Sequence, residues 1–361
     1  MTKTVQIDGS LMEGGGSIVR NAIALSALLK KPVKIRNIRA KRSKPGLRNQ
    51  HLHVVKAIGK ICQAEIEGAF IGSQCISFIP GETRGGTFQI DVQTAGSLTL
   101  LLQALIPVAS FAPEPVKLLL KGGTDVPMAP PFDFFKNVYL FTLQKLGLDV
   151  TVCLGRRGHY PKGGGIISCD INPIERLKPI SFDGTKNCNP LQIKGIAHAV
   201  QLPCHIAERM LSSAATFLQK KGYQLGKLKK DCPEQKYDPH IGPGTGITLW
   251  AETDCGTFLS GSGLGKKGLP AETVGESAAK ELHNQLQTKC PVDYHLADQL
   301  ILWMAIVPSP SVIKTSKITL HTLTNIAIVK RFIDINFQVD GAEGTMGVIR
   351  SEVNESSLLS G

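Results

Sequence analysis

The stretch SIVRNAIALSALLKKPVKIRNIRAKRSKPGLRNQHLHVVKAIGKICQAEIEG, residues 17–68, decides the fold. Its apolar residues first recur at helical spacing and then alternate as in a strand, and the same succession follows a polar loop. The order of helix, strand, loop, helix and strand returns at residues 95–154 and at residues 295–340. Such self-similarity is typical of a domain built from repeated units. We therefore expect an α/β or α+β fold with helices on one face of each sheet.

The third copy of this pattern starts much farther along the chain than the spacing of the first two predicts. The segment between them, residues 187–288, has its own order of strand, helix, Gly/Pro-rich loop, hairpin and helix. We expect it to be a smaller α/β domain inserted into the large one. The large domain would then consist of residues 1–186 and 289–361.

The composition indicates a globular protein inside the cell. The chain has 361 residues, 42% of them hydrophobic, which is enough for a sizeable core. It has no run of eighteen apolar residues and no apolar signal-peptide segment, so we expect neither membrane insertion nor secretion. Its nine cysteines never show Cys-x-x-Cys spacing, so we expect most of them to be reduced and no structural zinc site.

Positive charge is concentrated near the N-terminus. The whole chain has a formal net charge of +12, and residues 1–60 hold thirteen Lys or Arg against two acidic residues, Asp8 and Glu13. A basic field this local favours a polyanionic partner, because each neutralised phosphate releases a condensed counterion. A basic surface that only aids solubility is the alternative.

The repeated loops predict an anion-binding cleft. In each copy the loop between the first strand and the second helix lies at a helix N-terminus, where unpaired N–H groups and the helix dipole favour anions. If the three copies pack around a common axis, their loops converge. Arg39 and Arg42, the turn from Gly122 to Pro131, and His321 would then face one cleft.

Several polar residues near the first loop are suited to phosphate binding. Three glycines after Glu13 allow backbone amides to approach a phosphate, while Glu13 could hold a cation or a ribose hydroxyl, although Gly-rich turns are also common as plain structure. Arginines give forked, bidentate contacts to phosphate. The residues on the first helix and around the basic loop are Arg20, Arg39, Arg42, Gln50 and His51.

His321 is the candidate nucleophile. The pattern predicts a strand over residues 314–321 and places His321 at its end, two to three residues before a helix. An imidazole nitrogen can attack phosphorus and later release the phosphoryl group to another acceptor. A satisfied structural histidine is the alternative, and His159 is a rival outside the repeated loops. Asp298 and Gln299 begin an apolar helix, where they either cap it or recognise a nucleotide.

Seven segments, in order along nearly the whole chain, resemble the RNA 3′-terminal phosphate cyclase family. They are EGGGSIVR, IRAKRSKPGLRNQHL, TAGSLTLLLQ, KGGTDVPMAPP, RRGHYPKGGG, HLADQL and TLHTLTNIAIVKRF. The resemblance implies three repeated βαβαββ-like units forming one large domain, with a smaller thioredoxin-like inserted domain.

The resemblance also implies an enzyme, RNA 3′-terminal-phosphate cyclase, which acts by ligase-type nucleotidyl transfer in RNA processing. ATP would adenylate His321, the AMP would pass to an RNA 3′-phosphate, and the 2′-hydroxyl would displace it to leave a 2′,3′-cyclic phosphate. Mg²⁺ or Mn²⁺ would assist, with Glu13 as a candidate ligand. The implied ATP contacts are Gln103, Pro130, His295, Asp298 and Gln299. The implied RNA-phosphate and supporting residues are Glu13, Arg20, Arg39, Arg42, Gln50 and His51.

Some implications are less direct. Where many relatives have a tyrosine that stacks on adenine, this chain has His295, after Tyr294. The expected partner is an RNA with a 3′-terminal phosphate, without a membrane or an obligate protein partner, and in a eukaryote the nucleus would be the expected location. Two alternatives are a ribosome-assembly relative that binds RNA without adenylating itself, and an enzyme that resembles the enolpyruvyl transferases in fold.

Overall fold

The computed structural model describes residues 3–353 and shows a mixed α/β fold, as the sequence predicts. The strands are β1 (Val5–Asp8), β2 (Val33–Arg36), β3 (Glu65–Glu67), β4 (Ile76–Ile79), β5 (Gly86–Asp91), β6 (Val116–Gly122), β7 (Val150–Arg156), β8 (Gly165–Ile171), β9 (Ser181–Phe182), β10 (Pro190–Val200), β11 (Leu225–Asp231), β12 (Gly244–Thr253), β13 (Phe258–Leu264), β14 (Ser311–Thr315), β15 (Ile335–Asp340) and β16 (Gly347–Val353). The helices are α1 (Gly16–Leu28), α2 (Asn49–Ile61), α3 (Leu98–Ala109), α4 (Phe132–Phe134), α5 (Phe141–Lys145), α6 (His205–Lys220), α7 (Ala271–Gln287), α8 (Tyr294–Ile306) and α9 (Leu320–Val329). A π-helical segment, Phe135–Leu140, joins α4 to α5.

Three of the four sheets share one arrangement. Their strand orders are β1-β2-β4-β3, β5-β6-β8-β7 and β9-β14-β16-β15. In each, the first pair is parallel and the other two pairs are antiparallel. The fourth sheet has the order β11-β10-β12-β13, with α6 and α7 packed against it.

Apolar helices pack against one another and contribute to the main core. α1 packs against α2, α3 and α9, and α8 packs against α9. The buried residues of these elements form one continuous apolar cluster, while a second cluster comprises residues between Ile193 and Leu286 of the fourth sheet and its helices. Burying apolar surface on one face of each sheet is what holds these layers together.

The central helices begin at positions with a local cause. Ser97, Asp293 and Thr319 precede α3, α8 and α9, and each side chain accepts a hydrogen bond from the backbone N–H three residues later, at 3.2, 2.7 and 3.1 Å. Such caps satisfy N–H groups that the first turn of a helix leaves unpaired.

The cap at Thr319 corrects one prediction. The strand expected over residues 314–321 ends at Thr315, and α9 begins at Leu320, so His321 lies inside the first turn of a helix and not at a strand end. The hydroxyl of Thr319 offers the backbone an acceptor that starts the helix before the apolar run from which it was expected.

Within residues 187–288 the predicted strand, helix, hairpin and final helix are confirmed as β10, α6, β12 with β13, and α7. β11 was not predicted, because its sequence LGKLKKD is mostly polar. The assignment of this segment as a domain of its own stays a prediction.

Four of the nine cysteines form disulfides, which the spacing did not predict, while five are free, so most are reduced as expected. Cys188 is bonded to Cys255 and Cys204 to Cys232, across 67 and 28 residues of chain. β10 pairs with β12 and with β11, and these pairings bring the cysteines together, which spacing along the sequence does not reveal. The remaining cysteines are free, as expected: Cys62, Cys75, Cys153, Cys169 and Cys290.

None of the helices that the structure describes is long and apolar enough to cross a bilayer.

Candidate active site

The glycine-rich segment 13–17 forms the turn that opens α1. The helix begins at Gly16, and Gly15 is its extended N-cap residue. A Cβ atom at Gly15 would lie 1.8 Å from Oε1 of Glu13, and one at Gly16 would lie 2.0 Å from Nε2 of His51. Glycine at these two positions therefore lets the side chains of Glu13 and His51 lie beside the start of α1.

His321, in the first turn of α9, contacts this segment. Its Nδ1 lies 2.9 Å from Oε2 of Glu13, and 52% of its side chain is exposed. The hydrogen bond with Glu13 is the main cause that raises the pKa of His321; burial opposes it and the charge of Asp298 supports it. Because the carboxylate holds Nδ1, Nε2 is the ring nitrogen left for chemistry.

Glu13 is held from three sides. Its Oε1 accepts a hydrogen bond from Arg42 at 2.8 Å, and its Oε2 accepts one from the hydroxyl of Ser17 at 2.9 Å as well as facing His321. Burial acts to raise the pKa of Glu13, but these partners lower it below its ordinary value. The carboxylate is therefore ionised at neutral pH and fixed in place.

This environment limits how Glu13 could hold a metal ion. Both of its oxygens already have partners, and no cluster of three metal-ligating side chains within residues 3–353 includes Glu13. Mg²⁺ is commonly bound by one or two carboxylates together with substrate phosphates. Glu13 fits that limited role of a single carboxylate ligand and no larger one.

Arg20 projects from α1 into the same cluster. Burial lowers its pKa, while the charges of Glu13 and Asp298 raise it, so its guanidinium lies near both carboxylates. Its own charge lowers the pKa of His51 and acts against protonation of His321. No residue that the structure describes forms a hydrogen bond with this guanidinium. Arg20 therefore has its donors available for an anion.

Arg39 supports the basic loop from within. Its φ of 54° lies in the left-handed region, and its Nη1 donates hydrogen bonds to the carbonyl oxygens of Lys44 at 2.7 Å and Gly46 at 2.9 Å. Burial, and then the charges of Arg48 and Arg42, lower its pKa. A bracing role of this kind was not predicted, and a contact of Arg39 with phosphate stays a prediction.

His51 contributes a neutral ring at the start of α2. It is 2% exposed, and its Nδ1 accepts a hydrogen bond from the backbone N–H of Arg48 at 3.2 Å. Burial first, and then the charge of Arg20, lowers its pKa to about 3. Its Nε2 lies 3.3 Å from Nε2 of Gln50. This pair therefore offers hydrogen bonds to a ligand but no charge.

Three of the predicted ATP contacts lie together. Nε2 of Gln103, on α3, donates a hydrogen bond to Oε1 of Gln299, on α8, at 2.7 Å. The preceding residue, Asp298, has a pKa raised to about 7 by burial, against the charge of His321. Of the three, Asp298 is the one that lies close enough to His321 for their charges to interact.

Pro130 lies in the turn that follows β6. Its carbonyl accepts a hydrogen bond from the hydroxyl of Thr99 at 2.7 Å, so the turn packs beside the start of α3. None of the hydrogen bonds or ion pairs that the structure describes joins Pro130 to His321.

His295 is held in place by acidic and aromatic neighbours. Its Nε2 lies 2.9 Å from Oε1 of Glu281, and its ring meets that of Phe134 edge to face at a centroid distance of 6.3 Å. Burial acts to lower its pKa, but Glu281 and Asp293 raise it overall. The hydroxyl of Tyr294 also donates to Oε1 of Glu281, at 2.6 Å.

Sequence reasoning missed several residues that connect these elements. Nδ2 of Asn21, on α1, donates to Oδ1 of Asn325, on α9, at 2.8 Å, and Nδ2 of Asn325 donates to the carbonyl of Asp298 at 2.8 Å. A buried polar amide within an apolar helix was the available signal. Ser17, which bonds Glu13 four residues before it, and Glu281, which pairs with Tyr294 and His295, had no such signal.

His159, the rival candidate, belongs to another part of the molecule. It is 8% exposed, and its Nε2 lies 2.9 Å from Nε2 of His198. The charge of Asp125 acts on it most strongly after burial. Its described hydrogen bonds and ion pairs do not include the His321 cluster.

Comparisons with known proteins show the family to which the chain belongs. The sequence model of a family described as "RNA 3'-terminal phosphate cyclase" matches residues 11–339. A protein of that name from Pyrococcus furiosus is 47% identical over 345 residues, which is 95% of this chain and 97% of the relative. Another from Methanopyrus kandleri is 43% identical over 340 residues, or 94% of this chain and 96% of the relative. Both relatives are archaeal, so they give no support to a nuclear location.

A weak structural likeness was also found. The enolpyruvyl transferase NikO from Streptomyces tendae matches with a TM-score of 0.38 and 8% sequence identity, over 97% of this chain and 48% of that protein. The chain thus spans about half the length of NikO. This likeness is too low to support any conclusion on fold or activity.

Proposed function

The chain belongs to the RNA 3′-terminal phosphate cyclase family, and from this premise we propose that it converts an RNA 3′-terminal phosphate into a 2′,3′-cyclic phosphodiester with ATP as co-substrate. The observation that carries the proposal is the pair formed by His321 and Glu13, with 2.9 Å between Nδ1 and Oε2. A half-exposed imidazole, held by a carboxylate at a helix N-terminus beside a guanidinium with free donors, is suited to attack phosphorus.

In the first step, Nε2 of His321 attacks the α-phosphorus of ATP. An N–P bond forms, and the bond from this phosphorus to the bridging oxygen of pyrophosphate breaks. Glu13 holds the Nδ1 proton and stabilises the positive charge that the ring gains as the N–P bond forms. Only the neutral imidazole has a lone pair on Nε2, so the reaction requires the deprotonated form of His321.

In the second step, an oxygen of the RNA 3′-phosphate attacks the phosphorus of the AMP group, and the electron pair of the N–P bond returns to Nε2.

In the third step, the 2′-hydroxyl of the RNA attacks the 3′-phosphorus, AMP leaves, and the hydroxyl proton passes to Nε2 of His321. A nucleophile that also serves as the acceptor of this proton needs no further base.

Cationic side chains supply the electrostatic part of the mechanism. Arg20 and Arg42 line the cluster and would neutralise phosphate oxygens, with Gln50 and His51 as neutral donors. Mg²⁺ or Mn²⁺, held by Glu13 and substrate phosphates, would supply further charge neutralisation when bound. Gln103, Asp298 and Gln299 would hold the ribose and base of ATP, together with Pro130 and His295.

We also propose the domain division made from the sequence. Residues 187–288 would form a small thioredoxin-like domain inserted between residues 1–186 and 289–361, which would form the large domain from three related units. The separate apolar cluster between Ile193 and Leu286 supports this division, as does the shared strand order of the other three sheets.

Labelling with ATP that carries ³²P in the α-phosphate tests the proposal. We expect acid-labile label on the wild-type protein in the presence of Mg²⁺ or Mn²⁺, and none on His321→Ala. His205→Ala is the matched control, because His205 is an exposed histidine at the start of α6 and should not affect labelling. Label that persists on His321→Ala would place the nucleophile elsewhere.

A chase with RNA tests the later steps. RNA with a 3′-phosphate should remove the label and acquire a 2′,3′-cyclic end, whereas RNA with a 3′-hydroxyl should not. A wild-type protein that binds RNA but never takes up label would instead be an RNA-binding relative without the activity.

A further inference from the structure

Three buried side chains from separate elements meet far from the catalytic pair in the sequence. Asp125 lies in the turn after β6, His159 in the hairpin between β7 and β8, and His198 on β10. They are 1%, 8% and 2% exposed. The backbones of Asp125 and His159 form an isolated bridge, which fixes the turn against the hairpin.

The ring of His159 is wedged against the fourth sheet. A Cβ atom at Gly244, the first residue of β12, would lie 2.0 Å from Cγ of His159. Glycine at this position is what lets the hairpin bring its imidazole to His198 on the neighbouring strand β10. The contact therefore joins the second sheet to the fourth.

The three side chains have the spacing of metal ligands. One ligand atom from each of Asp125, His159 and His198 lies within 4.8 Å of the others. The two Nε2 atoms are 2.9 Å apart. Four-coordinate zinc with bonds near 2.0–2.1 Å separates its ligands by about 3.3 Å, so the two rings would part by only about half an ångström on binding.

Two buried polar atoms in this cluster have no hydrogen-bond partner among the residues that the structure describes. They are Oδ1 of Asp125 and Nδ1 of His198. A hydrogen bond between two neutral imidazoles would satisfy the facing Nε2 atoms, but it would leave both of these atoms unpaired in the interior. An unpaired buried polar atom is costly and rare, so a missing cation is a physical explanation for Oδ1 of Asp125; an ion bound through Nε2 would leave Nδ1 of His198 as it is.

The other carboxylate oxygen of Asp125, Oδ2, is already held by residues outside the three-residue cluster. Oδ2 accepts hydrogen bonds from the hydroxyl of Thr124 at 2.7 Å and from Nη1 of Arg157 at 3.2 Å. Carboxylates that bind metals are commonly oriented by such partners on the second oxygen. Oδ1 is thereby left as the oxygen that can coordinate.

The charges around the cluster are also unbalanced. Arg157 is the shared partner of three carboxylates, those of Asp125, Asp133 and Asp231, at 3.2, 2.9 and 2.8 Å. Two negative charges therefore remain for a divalent cation to offset.

We propose that Asp125, His159 and His198 bind a divalent transition metal ion, with zinc as the best fit to two imidazoles and one carboxylate. The ion would be structural, tying the turn after β6 and the β7–β8 hairpin to β10. The prediction against structural zinc was drawn from cysteine spacing, which does not bear on a site made of histidine and aspartate.

Metal analysis of the protein, purified without chelator and without a histidine tag, tests the site. We expect about one zinc per chain by elemental mass spectrometry, and at least about a tenfold loss of it in His198→Gln and Asp125→Asn. His205→Gln should keep the metal, because His205 is exposed and outside the cluster. His321→Ala should keep it as well, which separates this site from any ion bound with ATP.

A second measurement needs no variant. Wild-type protein stripped by a chelator and reloaded with Co²⁺ should show the visible absorption bands of a four-coordinate cobalt site, and Zn²⁺ should abolish them and raise the Tm. Wild-type protein that holds no transition metal after purification and shows no cobalt bands would overturn the proposal, leaving the cluster as a hydrogen-bonded network only. Loss of metal without loss of ATP labelling would support the metal site as structural.

Discussion

The cluster around His321 and the cluster around His198 use the same kinds of residue in opposite ways. Each combines histidine, a carboxylate and an arginine. His321 is half exposed and its hydrogen bond with Glu13 raises its pKa, whereas His198 is buried and desolvation lowers its pKa well below the ordinary value. Access to solvent, rather than residue type, separates a group that can react with a substrate from one that can only bind or pack.

The contrast also concerns the arginines. Arg20 has no hydrogen bond from the described residues, while Arg157 is bonded to three carboxylates and its pKa is raised by them against the effect of burial. A guanidinium without protein partners can bind an incoming anion, whereas one whose three nitrogens each bond a carboxylate holds the protein together.

The largest effect is expected at the exposed histidine. His321→Ala removes the nucleophile, and we expect the rate of adenylate transfer from ATP to the protein to fall by at least about 1,000-fold. The change removes a half-exposed side chain, so Tm should change little. Single-turnover labelling and thermal unfolding measure the two quantities. A comparable loss of labelling in His205→Ala would mean that the effect is not specific to this position.

Replacing the buried arginine, Arg157, should lower the stability of the protein, whereas replacing His321 should lower its activity. Arg157→Ala leaves buried carboxylates without their partner, and we expect about 3–5 kcal/mol of lost stability and a Tm lower by roughly 4–7 °C. Arg209→Ala is the matched control, because Arg209 forms an exposed ion pair with Glu272, and it should leave the Tm nearly unchanged. Thermal unfolding of both variants measures this difference. Equal Tm values for Arg157→Ala and Arg209→Ala would contradict a stabilising role of the buried network.

Much of the fold could be predicted because its signals are local. Apolar periodicity or a polar cap within a few residues predicts α1, α2, α3 and α8. The sequences of α6 and α7 have local signals that are equally clear. α9 was placed too late, because its start depends on one hydroxyl, that of Thr319. β11 escaped notice because an edge strand with four charged residues has no apolar alternation.

The contacts of the site were less predictable. Resemblance and local chemistry singled out Glu13 and His321, yet nothing in the sequence says that Nδ1 and Oε2 form a hydrogen bond across 308 positions. The same holds for His159 and His198, which meet only because a hairpin packs over β12 and β10. Such pairs follow from the packing of sheets, which local patterns do not encode.

Glu13→Gln removes the carboxylate beside His321, so the surroundings of His321 become more like those of an ordinary surface histidine. In Glu13→Gln we expect adenylate transfer to slow by roughly 100-fold, because the ring loses the group that orients it and stabilises its charge. The pH dependence should change too. The wild-type rate falls as the pH drops through the raised pKa of His321, since only the neutral ring is nucleophilic; in the variant that pKa is lower, so the acid limb moves to lower pH.

The rate of adenylate transfer as a function of pH measures this shift. Glu281→Gln is the matched control, because Glu281 pairs with His295 and not with His321. It should leave the acid limb where it is. An acid limb that stays in place in Glu13→Gln, or moves to higher pH, would mean that Glu13 does not set the protonation of the nucleophile.

The surroundings of His295 are intermediate between those of His321 and His198, and replacing His295 should have the smallest effect. Its side chain is 43% exposed, like that of His321, and it is paired with a carboxylate, Glu281, at 2.9 Å. Yet its position in the first turn of α8, next to Phe134, predicts a contact with the base of ATP and no covalent role. Stacking on an aromatic ring is worth about 0.5–1.5 kcal/mol. His295→Ala should therefore raise the KM for ATP by roughly 2–12-fold and leave kcat unchanged, while His295→Phe, which keeps a flat ring, should stay close to the wild type. A loss in kcat in both variants would show instead that the ion pair with Glu281, rather than the ring face, is what the reaction needs.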